Sequence, residues 1–171
     1  MKIVRLACAA SLAAMLAGCA GSVSAPVAVQ ALSQEQRGAL KLSDISADAA
    51  QGVAMSDGDF GLICEKVKSY IDADHPGMVV DGAAVPQALK MQIHFTRFDR
   101  GSAFARAMLI GLGQIRIEAT VSLADASGKE VAEYKVAKDF ALGGIAGATT
   151  SVDDVEEGFA KSVAQVVNNK A

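Results

Sequence analysis

The sequence contains no tryptophan, and its aromatic residues reach only 5%. Histidine is nearly as scarce, at two, and there are three cysteines in 171 residues. Two histidines are a poor basis for a metal centre or a general base, so no metal site is expected. Cysteine is far too rare for a disulfide scaffold. Positive charge is not in excess either: 16 Lys and Arg face 19 Asp and Glu, for a net charge of −3. Nucleic-acid binding draws most of its affinity from Lys and Arg on phosphates, so no nucleic-acid partner is expected. No Gly-x-Ser-x-Gly elbow, phosphate-binding loop or Gly-x-Gly-x-x-Gly occurs, and no nucleophile–base set can be assembled. The chain therefore reads as non-enzymatic and free of cofactors. Its hydrophobic content of 51% excludes long disorder. The length suits one ordinary domain with extensions.

The first such extension is an address. Lys2 and Arg5 precede an apolar and small run over residues 6–16. As a helix this run would span about 16 Å, too short for a bilayer core of about 30 Å, and its flanks are those of a secretory signal. Leu16-Ala17-Gly18-Cys19 follows and resembles the lipobox of bacterial lipoproteins. That resemblance implies lipidation of Cys19, removal of residues 1–18 and acylation of the new amine. Several acyl chains hold a protein on a membrane far longer than one chain does. Ala20 stands where an Asp often retains such lipoproteins at the inner membrane. The expected location in a Gram-negative source is thus the outer membrane, facing the periplasm. Cleavage removes Lys2 and Arg5 and takes the net charge from −3 to −5. It also leaves Cys64 as the only free thiol. Cys64 reads either as a redox or metal thiol or as a small hydrophobe on the apolar side of a helix.

Residues 19–36 read as the lipidated Cys and a flexible tether, and residues 37–171 as a single globular domain. A first strand is expected over 39–46. Ser56 has the character of an N-cap, with Asp57 and Asp59 in the first turn. Phe60, Ile63, Cys64, Val67 and Ile71 follow at helical spacing, up to about Ala73. Residues 89–96 and 115–123 alternate apolar and polar, which describes two half-buried strands. Asp125-Ala126-Ser127-Gly128 is a hairpin turn leading to a return strand over 129–140. Ser151 caps a last helix with Val152, Val155, Phe159, Val163 and Val166 on its buried stripe. Gly158, costly inside a helix, is expected where the helix approaches the sheet closely. Both long helices have one apolar stripe. The economical fold is α+β, a two-layer sandwich. It has a mixed, mainly antiparallel sheet of about four strands, with two amphipathic helices on one face and water on the other.

Two connectors break the usual rule that loops are polar. Residues 95–113 read Phe-Thr-Arg-Phe-Asp-Arg-Gly-Ser-Ala-Phe-Ala-Arg-Ala-Met-Leu-Ile-Gly-Leu-Gly, and residues 140–148 read Phe-Ala-Leu-Gly-Gly-Ile-Ala-Gly-Ala. Each follows a strand, so strand direction decides whether they meet at one end of the sheet. Phe104, Leu109, Ile110, Leu112, Leu142 and Ile145 are candidate interface residues for a protein partner, a second copy or a membrane. Arg97, Arg100 and Arg106 could hold a small anion; alternatively they form ion pairs with Asp99 and other nearby acids. His75, beside Asp72 and Asp74, and His94, between Gln92 and Thr96, read as solvated.

The Arg-Phe-Asp-Arg-Gly-Ser segment, the Gly-Leu-Gly before a strand, the Asp-Ala-Ser-Gly-Lys hairpin and the late Gly-Gly resemble an uncharacterised family of bacterial lipoproteins, domain of unknown function 4410. The resemblance runs over about 89–166. It implies an envelope lipoprotein with an α/β domain, and no activity. The expected function is a membrane-anchored binding or assembly module acting through the Gly-rich connectors. The alternative is a periplasmic domain that binds an anion through the arginines.

Overall fold

Two serines decide where the long helices begin. Ser56 accepts a hydrogen bond from the Asp59 N–H at 3.3 Å, and the Asp59 carboxylate accepts from the Ser56 N–H at 2.8 Å. Ser151 and Asp154 repeat the exchange at 3.1 and 2.8 Å. Each box satisfies amide groups that a helix start leaves unpaired. The computed structural model describes residues 25–80, 85–108, 113–140 and 149–168, without the side chains of 106–108. Its elements are β1 (Val27–Gln30), α1 (Gln34–Gly38), β2 (Leu42–Ala49), α2 (Asp57–Asp74), β3 (Leu89–Asp99), α3 (Ala103–Met108), β4 (Ile115–Ala124), β5 (Glu130–Phe140) and α4 (Val152–Asn168). The first long helix and the later strands thus fall close to where their patterns place them. The first expected strand is shifted, from 39–46 to Leu42–Ala49.

The fold is α+β, as expected, with one open mixed sheet in the order β1-β5-β4-β3-β2. β2 and β3 are parallel, joined through α2, and every other neighbouring pair is antiparallel. The sheet has five strands where about four were expected, because β1 lies inside the segment read as tether. Val27 pairs with Lys135 and Ala28 with Tyr134, and the Leu32 N–H donates to the Tyr134 hydroxyl at 3.0 Å. Leu32 and Leu40 are both buried in the core. The folded domain therefore includes residues well before 37.

One face of the sheet carries the core. Met91, Ile93 and Phe95 of β3, Ile115, Ile117, Val121 and Leu123 of β4, and Tyr134 and Val136 of β5 are buried there. α2 adds Ile63, Val67 and Ile71, each four residues from the last, the spacing of one helix face. α4 is buried more fully than its stripe suggested, because it packs against both α2 and the sheet. Its Glu156, Ala160, Ser162 and Ala164 are buried as well. Glu156 meets Lys66 of α2 at 3.4 Å. Phe95 sits at the centre, with ring centroids 5.4 Å from Phe159, 6.2 Å from Phe60 and 6.4 Å from Phe98. Gly158 faces the sheet, where an added Cβ would lie 3.0 Å from Cε of the buried Lys138. The opposite face is polar, and there His94 meets Asp48 at 2.6 Å.

The capping boxes make stability depend on acid. The Ser56 N–H, then its hydroxyl, then Arg100 hold the Asp59 carboxyl below the ordinary carboxylate range, and Ser151 does the same for Asp154. A carboxyl with a lowered folded pKa contributes stability that is fully present above its unfolded pKa, about 3.9. That contribution is lost as pH falls through the lower folded value. Asp59→Asn should therefore weaken the protein at pH 7, with the gap from wild type narrowing near pH 3. Urea melts at the two pH values measure that gap; a constant gap would contradict the linkage.

Candidate functional site

Strand directions bring the two connectors to one end of the sheet. Ile115 of β4 pairs with Phe140 of β5, and Arg116 pairs with both Asp99 and Asp139. The 100–114 connector therefore leaves and re-enters the sheet beside the start of the 141–151 connector. The Asp125 hairpin is at the other end. There Gly128 has φ +83°, and the Asp125 carboxylate accepts from the backbone of Ser127 and Lys129.

A bulge decides where the arginines go. Strict alternation from Phe95 would bury residue 97 and expose residue 98. The β3–β4 register instead shifts between Phe95 and Arg97, so Arg97 pairs with Glu118 and Phe98 with Ile117. The extra residue reverses the phase of the strand. Phe98 is thereby buried and Arg97 exposed.

Arg97 donates to Asp99 at 2.6 Å, and this partner raises the guanidinium pKa further. Arg100 donates to Asp59 at 2.8 Å and lies 5.0 Å over the Phe98 ring. Asp59 thus serves the cap of α2 with one oxygen and Arg100 with the other. Arg97 belongs to the polar side of the sheet, whereas Arg100 reaches the helix side. The two do not converge on one point. Arg106 is in α3, with its side chain outside the described residues. Sequence reasoning named Asp99 as a partner but missed Asp59, which is 41 residues from Arg100.

The mouth of the 100–114 connector is tightly closed. Gly101 and Gly113 have φ +64° and +71°, and the Ser102 N–H donates to the Gly113 carbonyl at 3.2 Å. Just beyond, Phe104 of α3 is 75% exposed. Of the other interface candidates, Leu109, Ile110, Leu112, Leu142 and Ile145 lie outside the described residues, as does Cys19.

Cys64 is half-buried in a groove of about 490 Å³ between β2 and α2, lined by Ser43, Asp44, Glu65, Lys68 and Val79 among others. Burial, then Asp44, pushes its thiol pKa up, which suppresses the thiolate needed for redox or metal chemistry. His75 caps the end of α2. Among the described residues no group of three His, Cys, Asp or Glu converges as a metal site. Nor is any described helix long and apolar enough to cross a membrane.

Comparison with known proteins bears out the family resemblance. Residues 72–144 match the family described as domain of unknown function (DUF4410). The DUF4410 segment starts in the last turn of α2, takes in β3, β4, β5 and the hairpin, and stops before α4, which the resemblance had included. Among solved structures, the PelC dodecamer of Paraburkholderia phytofirmans, in a point-variant form, shares the fold. Its TM-score is 0.53 at 13% identity, covering 89% of this chain and 100% of that chain. A second crystal form of the PelC dodecamer gives a TM-score of 0.52 at 12% identity, covering 77% of this chain and 89% of that one. A Caulobacter crescentus protein described as a candidate lipoprotein gives only 0.37 at 20% identity, covering 71% and 82%. No curated protein matches the chain.

Proposed function

We propose that this protein is a membrane-anchored envelope lipoprotein that works by binding, not catalysis, and that copies of it associate. The observation that carries the reading is Leu16-Ala17-Gly18-Cys19 placed directly after a short, positively flanked apolar run. A lipid anchor there would keep the domain at the outer membrane, facing the periplasm. Association is supported by two structures of the same fold that are dodecamers, and by the large exposed ring of Phe104 at the connector end. The anion-binding alternative has less behind it, since Arg97 and Arg100 each hold a carboxylate and lie on different sides of the sheet.

Cys19→Ser should move essentially all of the protein from the salt-washed membrane pellet to the soluble fraction, with an unchanged melting curve. Equal pellet fractions for variant and wild type would refute the anchor. Light scattering of the detergent-extracted wild type should give a multiple of the protomer mass, and a monomer would refute association.

A further inference from the structure

We infer that β2 is a pairing edge: a second copy of the chain adds its own β2 there, antiparallel across a two-fold axis that sets Ala47 opposite Ala47. The inference rests on the association reading above and names a contact through which copies would associate.

An open sheet has two edges, and this one protects only one of them. Unpaired edges invite other strands, and proteins blunt them with short strands, proline, bulges or lysine. β1 carries three of these devices. It has four residues, Pro26 stands directly before it with no N–H to offer, and its register shifts between Ala28 and Gln30. β2 has eight residues, and from Asp44 to Ala49 it contains no proline, no lysine and no register shift. The Leu42 N–H donates outward to the Met78 carbonyl at 2.9 Å, and the Leu42 carbonyl accepts from the Val80 N–H at 2.8 Å. Past the irregularity between Leu42 and Asp44 the phase reverses, and the Ala50 N–H donates to the Phe95 carbonyl of β3 at 2.9 Å. The backbone of Ile45, Ala47 and Ala49 therefore points to the open edge, where no strand among the described residues pairs with it.

A second copy fits this edge in one register. Its β1 is blunted, so β2 is the edge it can offer. With Ala47 at the axis, Ile45 faces Ala49 on the core side, large against small, and Ser46 faces Asp48 on the polar side. This pairing forms about six main-chain hydrogen bonds. An axis at Ser46 would set Asp44 opposite Asp48, and an axis at Asp48 would set that residue opposite itself, like charges that oppose pairing. An axis at Ile45 would drive the added strand into the segment beside Leu42, and one at Ala49 runs off the end of β2. The charges of α2 agree with the Ala47 axis. Asp57, Gly61, Cys64 and Lys68 form one stripe of that helix. Cys64 and Lys68 line the groove beside Ser43, Asp44 and Ile45, so the stripe faces the open edge. α2 joins two parallel strands and so runs against β2, with Asp57 toward the end of β2 and Lys68 toward its start. The two-fold axis brings Lys68 of each copy toward Asp57 of the other, and both residues are exposed.

The test uses the full lipidated protein in a Cys64→Ser background. Ser46→Cys and Asp48→Cys chains, each with its own tag, are produced together in one cell and also singly. Directly opposed residues of this kind have Cα atoms about 4.5 Å apart, within disulfide reach, whereas like positions of the two copies are diagonal, at about 7–8 Å. Mild oxidation should therefore give severalfold more mixed covalent dimer than either variant gives alone. Ala47→Pro, which removes an outward N–H, should at least halve the mass that light scattering finds for the detergent-extracted wild type. Circular dichroism checks that this variant is folded, and the crosslinks decide the matter if it is not. A monomeric wild type overturns the association reading itself. An associated wild type whose mixed crosslink does not exceed the single ones overturns the β2 edge alone, as does a folded Ala47→Pro protein of unchanged mass.

Discussion

Phe95→Ala is expected to destabilise the domain by about 3–5 kcal/mol, the usual cost of emptying a large aromatic site in a packed core. Phe95 is fully buried, and the three rings around it come from α2, from β3 itself and from α4. Its removal therefore loosens the sheet from both long helices at once. Partial collapse is hindered because Phe60, Phe98 and Phe159 are held on three separate backbones. Against a typical total stability of about 5–15 kcal/mol this loss is a large fraction, and the variant should unfold at much lower urea. Phe104→Ala is the matched control. Its ring is 75% exposed, so its removal should change stability by no more than about 0.5 kcal/mol. Equal denaturation midpoints for the two variants would contradict the assignment of Phe95 to the centre of the core.

Gly101→Ala should be nearly as damaging, for a different reason. Gly101 has φ +64°, a conformation that costs an L-residue about 1–2 kcal/mol. An added Cβ would also lie 2.5 Å from the Gln114 carbonyl oxygen and closer still to that of Gly113. Both obstacles are backbone, so no side-chain rotation relieves them. Overpacking of this kind adds about 1–3 kcal/mol, and the combined loss should be about 3 kcal/mol or more. Gly128 separates the two causes. It has φ +83° but open space around its Cβ position, so Gly128→Ala should show the conformational cost alone. Thermal melts of the two variants should rank Gly101→Ala well below Gly128→Ala. The reverse order would mean that the mouth of the connector is not closed by Gly101 against Gly113 and Gln114.

Much of this architecture is legible locally. Ser56 with Asp59 and Ser151 with Asp154 are capping boxes spanning four residues each, so they can be read from the chain without any partner. The alternation over Ile115–Ala124 and the Asp125–Gly128 turn are legible for the same reason: each is a short-range pattern with a local physical cause. The candidate site is less legible. The apolar connectors and their arginines stand out by composition, but Arg100 finds its carboxylate 41 residues away, and no local pattern reports that. The bulge before Arg97 is equally silent, because one extra residue reverses which side chains face the core.

By itself, then, the sequence determined the lipobox-like leader, the helix starts, the alternating strands, the hairpin and the unusual polarity of the connectors. Each depends on residues within a turn or two of one another. Only the tertiary structure decided that Val27–Gln30 is a strand and not tether, because its pairing partner Glu133–Lys135 lies some hundred residues on. It also decided that Arg97 and Arg100 part to different sides of the sheet, that α4 is buried against α2 as well as the strands, and that both connectors share one end. These are consequences of strand order and direction. Order and direction are settled by which surfaces bury together across the whole chain, not by any segment's own pattern.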